Sequence, residues 1–376
     1  MSPLRFLLTN QLKCHRQAQK TSGFTLLELL VAMVLAFLVI TPLLGFVVNI
    51  METDRKEQAK ANSEQELKAA LDYITQDLQQ AVYIYDAEGL DRIYSNTLGK
   101  SGIKNQIPPE VTPRVSGCSP NSCVPVLVFW KREQRRQVVK VNQSGASCPP
   151  PPAVDPSKDS TNCNDAYVYS LVGYYVIADA NNSNSGNPWS NSARIARFKI
   201  SDGVVDTSKP LIKKKPQYLQ FSDENLNKSD GFNAFDLTGI GTLKQKMNKW
   251  QKDATAYKFN FGENVLVDYI DRPTPPTVKQ LPGEMTCLEK LPAGTKDPSL
   301  LEQRVPSKTT QLNGRPVDNF YACVNSNKNY ARIYLRGNSL ARIQKTNPPS
   351  FSDNNSSYFP TVTVQVQGNG SLFTRQ

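Results

Sequence analysis

One carboxylate, Glu28, stands in an apolar run from Phe24 to Ile50 that holds no other ionisable residue. A charge at mid-bilayer costs roughly 2.5–3.5 kcal/mol on insertion scales, so it is retained where a partner or a function holds it. The chemistry open to it is close pairing with a cation, which strengthens in a low dielectric while each charge alone is costly. Six cysteines follow the run, Cys118, Cys123, Cys148, Cys163, Cys287 and Cys323, an even set suited to disulfide formation. The one histidine, His15, precedes it. A histidine-dependent triad or a His-ligated catalytic metal is therefore excluded beyond the run. No paired-acid, P-loop or nucleophile-elbow spacing occurs, and the cysteine spacings match no zinc pattern. The chain reads as a non-enzyme that needs no cofactor and no metal.

The run itself must place these groups. At about 1.5 Å per residue, a helix of this length slightly exceeds the roughly 30 Å hydrocarbon core, so it can span a membrane. Arg5, Lys13, Arg16 and Lys20 lie ahead of it with no acidic residue. The positive-inside bias then keeps that segment cytoplasmic and sends the bulk of the chain across a plasma or inner membrane. Cys14 stays behind, and the six later cysteines reach an oxidising compartment, where disulfides are the default. Many pairings are open to six cysteines; loop length alone favours near neighbours, 118 with 123, 148 with 163 and 287 with 323.

Three explanations compete for this N-terminus. A secretory signal has a shorter apolar core, about 7–15 residues, and a plain single-pass anchor leaves Glu28 unexplained. The third rests on "GFTLLELL", Gly23 to Leu30, which resembles the processing site of type IV prepilins and type II secretion pseudopilins. The shared features are a basic leader, Gly23, Phe24, Thr25, and Glu28 at the fifth position of the mature chain. The resemblance implies that a prepilin peptidase cuts after Gly23 on the cytoplasmic side, removing Cys14 and His15, and methylates the new amino group of Phe24. It implies that Glu28 meets the N-terminal amine of a neighbouring subunit inside a filament, with other pilins and an inner-membrane assembly platform as partners. A retained glutamate argues against the special tip subunit of secretion pseudopili, which commonly lacks it. The longer text "AFLVITPLLGFVVNIMETDRKEQAKANSEQELKAALDYITQDLQQAVYIYDAEGL" also resembles the pseudopilin of the hormogonium polysaccharide secretion system of filamentous cyanobacteria. That likeness implies support of polysaccharide export and gliding motility, with protein secretion or DNA uptake as the nearest alternatives.

Four segments result: a leader over 1–23, a spanning half-helix over 24–50, an amphipathic half-helix over 51–88 and a β-rich domain over 89–376. Pro42 removes one helical hydrogen bond inside the run and predicts a bend or local melting there. From Met51 the chain lacks glycine and proline up to Gly89 and places Leu67, Ala70, Leu71, Ile74, Leu78, Ala81 and Tyr85 at helical steps, one stripe that packs on a sheet of the same subunit. Glu52 to Gln65, with less apolar surface, bridges the membrane and the domain. After Gly89, "VPVLVFW" (124–130), "AYVYSLVGYYVIA" (166–178), "RIARFKIS", "YARIYL" (330–335) and "TVTVQVQ" read as strands. Gly337-Asn338 reads as a turn that pairs "YARIYL" with "SLARI". The fold class is α+β: a long N-terminal transmembrane helix packed on a decorated antiparallel β-sheet domain. A boundary near 271 is outweighed by strands at both ends of the chain.

The Pro-rich stretches "SGASCPPPPAVDPSKDSTNC" and "DRPTPPTVKQLPGE" read as surface insertions. Asp179, Asn181 and Ser183, or Asp223, Asn225 and Asn227, alternate as calcium ligands could, yet lack the glycine and distal acid of an EF-hand and read as turn formers. Of the net charge of +11, the leader contributes four, leaving +7 on the rest. "KREQRR" (131–136) and "KKK" (213–215) read as solvated loops or strand ends. This charge and the tyrosines carry a reading from another class, a membrane-anchored module for anionic polysaccharide; nucleic acid is not an expected partner.

Overall fold

The computed structural model describes residues 25–141, 148, 163–179, 188–212, 215–273, 284–292 and 297–370. Gly23, Phe24, Asn181, Ser183, Lys213, Lys214 and most of the two Pro-rich stretches lie outside these residues. The chain divides into two compact units, Met1–Arg55 and Lys56–Gln376. Helix α1, Leu26–Gln79, belongs to both and carries Pro42 inside its apolar part without a break in the helix.

In the second unit α1 buries Ala59, Ser63, Leu67, Ala70, Leu71, Ile74, Asp77 and Leu78, one face at three- and four-residue steps. It ends at Gln79, before the end of the stripe read from the sequence, and Ala81–Ile84 form strand β1 instead. Val82, Tyr83, Ile84 and Tyr85 favour a pleated, two-sided burial over a helix, and all of them are buried. Short helix α2 (Ala87–Asp91), strands β2 (Cys123–Lys140), β3 (Cys163–Ile177) and β4 (Ala193–Ser201), helix α3 (Leu243–Met247) and strand β5 (Val265–Ile270) follow. Then come β6 (Gln303–Val305), β7 (Gln311–Leu312), β8 (Arg315–Pro316), β9 (Phe320–Asn325), β10 (Tyr330–Arg336) and β11 (Thr361–Gln367).

The single sheet expected from the strand pattern is two larger sheets and a small ribbon. β1 to β5 pair in sequence order as an antiparallel meander, β11-β10-β9-β6 make a four-stranded sheet, and β7 pairs β8. "SLARI" is no strand: Asn338 accepts a hydrogen bond from the Ala341 amide and caps a 3-10 turn over Ser339–Arg342. β10 takes β9 and β11 as its partners. The sheets meet where β5 ends beside β10, through Asp271 N to Arg336 O at 3.0 Å and Asn338 N to Tyr269 O at 2.8 Å. There Arg336 Nε donates to Asp271 Oδ2 at 2.8 Å, with both side chains buried. The apolar face of α1 shares one core with both sheets, including Phe129, Tyr174, Ile195, Ile333 and Val366.

A network of charged groups fastens α1 to the first sheet. Asp77 Oδ1 accepts from Lys131 Nζ on β2 at 2.8 Å. Its Oδ2 accepts from Arg197 Nε on β4 at 2.7 Å and from the Tyr174 hydroxyl on β3 at 2.6 Å. Glu133 continues the chain, bonded to Lys131 at 2.6 Å, Lys199 at 2.9 Å and Arg135 at 3.2 Å. "KREQRR" is therefore the middle of β2, with Lys131 buried, and no solvated loop. Burial works to raise both acids, but Arg197 and Lys131 hold Asp77 below its ordinary value. Lys199 and Lys131 likewise hold Glu133 down to about 2, against an ordinary 4.5.

Two outcomes follow from the network. Asp77→Ala leaves Lys131 and Arg197 without their acid and is expected to destabilise the domain by about 3–5 kcal/mol in urea unfolding. Because both folded pKa values are lowered, their stabilisation is present above the ordinary carboxylate range and lost as pH falls; thermal unfolding should show the steepest loss between about pH 4.5 and about 2.

Candidate assembly site at the helix N-terminus

Glu28 sits in the first turn of α1. Thr25 precedes that helix with the spacing T-x-x-E, which satisfies two of the amide donors that a helix start leaves open. The Thr25 amide and hydroxyl both donate to Glu28 Oε2 at 3.1 Å, and the Glu28 amide donates to Thr25 Oγ1 at 3.3 Å. The glutamate that needs a partner thus has one within its own chain. The signal for this contact is local, Thr25 and Glu28 at capping-box spacing. An acid in a first helical turn also meets the positive end of the helix dipole.

Around and beyond that turn the surface is apolar and open. Leu26, Leu27, Met33, Phe37 and Phe46 are each more than 60% exposed. Among the described residues, α1 is the one helix long and apolar enough to cross a membrane. Thr41 Oγ1 donates to Phe37 O at 2.8 Å next to Pro42, a back-bond that occupies a helix carbonyl near the proline, which has no amide to donate.

The six later cysteines are joined as Cys118–Cys123, Cys148–Cys163 and Cys287–Cys323. Cys287, Cys323 and Glu302 converge within ligand distance of one another. The two sulfurs are spent on each other, and Glu302 accepts from the Leu288 amide at 2.9 Å and from Arg332 Nε at 3.0 Å, so this is a structural staple. Asp223 accepts from the Asn225 amide at 3.0 Å and Asn227 from the Phe221 amide at 2.8 Å, which makes turns of that candidate calcium loop. In the other loop Asp179 pairs with Arg194 at 2.8 Å.

Replacing Thr25 with valine keeps the side-chain shape and removes the hydroxyl. The Glu28 amide should then exchange with solvent several-fold faster in micelle-bound protein, measured by hydrogen exchange, while amides past the first turns stay unchanged.

A family model described as the prokaryotic N-terminal methylation motif matches residues 19–44, which contain Gly23, Phe24, Thr25 and Glu28. No curated protein and no solved structure matches the chain. The motif and the exposed apolar helix support a membrane-anchored, single-pass protein related to type IV pilins and pseudopilins, processed by a prepilin peptidase and assembled with other pilins.

Proposed function

We propose that the chain is a minor pseudopilin of a type IV pilus-like or type II secretion-like filament, a structural subunit without an enzymatic role. A prepilin peptidase cuts between Gly23 and Phe24 and methylates Phe24. The helix then leaves the plasma membrane for the filament through an assembly platform, with its domain on the outer side. The work supported is polysaccharide export and gliding motility; protein secretion and DNA uptake are the neighbouring roles.

One observation carries this reading. The sole ionisable group of the apolar run lies five positions into the expected mature chain, within the matched motif. Both bonds from Thr25 land on Oε2 of Glu28, so Oε1 keeps its lone pairs for a donor from outside. The terminal amine of a neighbouring subunit is such a donor, and a low dielectric makes that pairing strong and its absence costly.

Mass spectrometry of the mature protein should give an N-methylated Phe24 as the first residue; an intact leader or another end rejects the reading. Glutamine separates charge from capping, because Glu28→Gln can rebuild the capping box without the anion. Both Glu28→Gln and Glu28→Ala should insert in the membrane and fail to enter sheared filaments. Normal incorporation of Glu28→Gln would reduce Glu28 to a helix cap. The +7 carried by the chain past its leader supports a second reading, recognition of anionic polysaccharide by the displayed domain.

A further inference from the structure

We infer that the groove over β4 in the second unit binds an acidic, carboxylate-bearing saccharide. The proposal gives the polysaccharide-binding reading a place and a ligand class, and it rests on that reading; the assembly role stands separately.

The electrostatics begin below the groove. Four cations, Lys131, Arg135, Arg197 and Lys199, surround two carboxylates, Asp77 and Glu133. This leaves two positive charges in excess in a half-buried cluster, where water screens them poorly. Arg197 and Lys199 keep 17% and 27% of their side chains exposed, and both line a groove of about 630 Å³, within the range of ligand sites. Burial, reinforced by Arg135 and Lys131, outweighs Glu133 and lowers the Lys199 pKa. A carboxylate entering from the groove would relieve that excess through charge-assisted bonds.

The walls define the rest of the ligand. Asn225, Asn260 and Asn264 line the groove; each donates one amide N–H within the chain, to Asp223 Oδ1, Glu263 Oε1 and Asn260 O, and its second N–H can serve a sugar hydroxyl. Phe259, half-buried, stands among them, held in edge contact by Phe198 and Phe261. An apolar face beside amides and a cation suits a sugar ring with a carboxylate substituent. Three acids also line the groove, Glu224, Asp230 and Glu263; Asp230 pairs with Lys258 at 3.0 Å and Glu263 accepts from Asn260 Nδ2 at 2.8 Å, while Lys228 pairs with Asp253 at 3.2 Å. Glu224 and Glu263 are exposed and offset the excess at the rim, so a carboxylate is held where it reaches Arg197 and Lys199, one anionic group per sugar.

The test is calorimetric titration of the full-length protein in neutral detergent with oligogalacturonate, using neutral malto-oligosaccharide and single-stranded oligothymidylate for comparison. Oligogalacturonate should bind and malto-oligosaccharide should not. Lys199→Met should weaken binding about tenfold. Asn264→Asp leaves the buried cluster untouched, places an anion in the groove and should weaken it similarly. Lys345→Met, the same change in net charge on an exposed residue outside the groove lining, should leave affinity unchanged. Unfolding temperature separates loss of fold from loss of site in Lys199→Met. Equal weakening in all three variants would overturn the groove while leaving general attraction to polyanions intact. No binding of oligogalacturonate would overturn both, and oligothymidylate bound as tightly, with the same sensitivity to Asn264→Asp, would reassign the groove to a nucleic acid.

Discussion

One carboxylate sets how the helix meets the first sheet. Asp77 accepts from Lys131, Arg197 and Tyr174, which lie on three successive strands, so a single residue of α1 sets the helix against β2, β3 and β4 together. Apolar contacts from Leu67, Ile74 and Leu78 supply attraction without direction, whereas three hydrogen bonds to fixed donors define one register. Replacing such a cluster by apolar residues can be neutral in energy; its contribution here is position.

The same cluster reaches from the helix to the solvent side of the sheet. Lys131 spends its charge between Asp77 and Glu133, while Arg197 and Lys199 share those acids from the side that opens to solvent. A device that holds the helix thereby leaves positive charge along β4. The two ends of α1 also use acids differently. Glu28 is capped by its own chain in an exposed first turn, and Asp77 is buried and answered by residues far along the sequence.

Much of the architecture was legible because its signals are local. Apolar steps from Leu67 to Leu78 mark a helix face, and the alternation of Ala196, Phe198 and Ile200 with Arg197 and Lys199 marks a strand with one face inward. The errors came where partners are remote. Ala81 and Tyr85 continue a helical count, yet they are taken by the chain that pairs with β2 and packs around Trp130. "SLARI" follows a plausible turn, but β10 already has a neighbour on each side. "KREQRR" looks solvated by composition, since nothing nearby in sequence reveals that Asp77, 54 positions earlier, waits for Lys131.

What the sequence by itself determined is the set of features whose cause lies within a few residues: the apolar helix and its lone acid, the processing-type motif, the even set of cysteines and the alternating strands. Tertiary structure alone decided that the strands divide into two larger sheets, that α1 stops at Gln79, and that six charged side chains gather where α1 meets the first sheet. The physical reason is range: periodicity and capping act over one or two turns of chain, whereas a buried charge finds its partner wherever the fold brings an opposite charge into the same low dielectric.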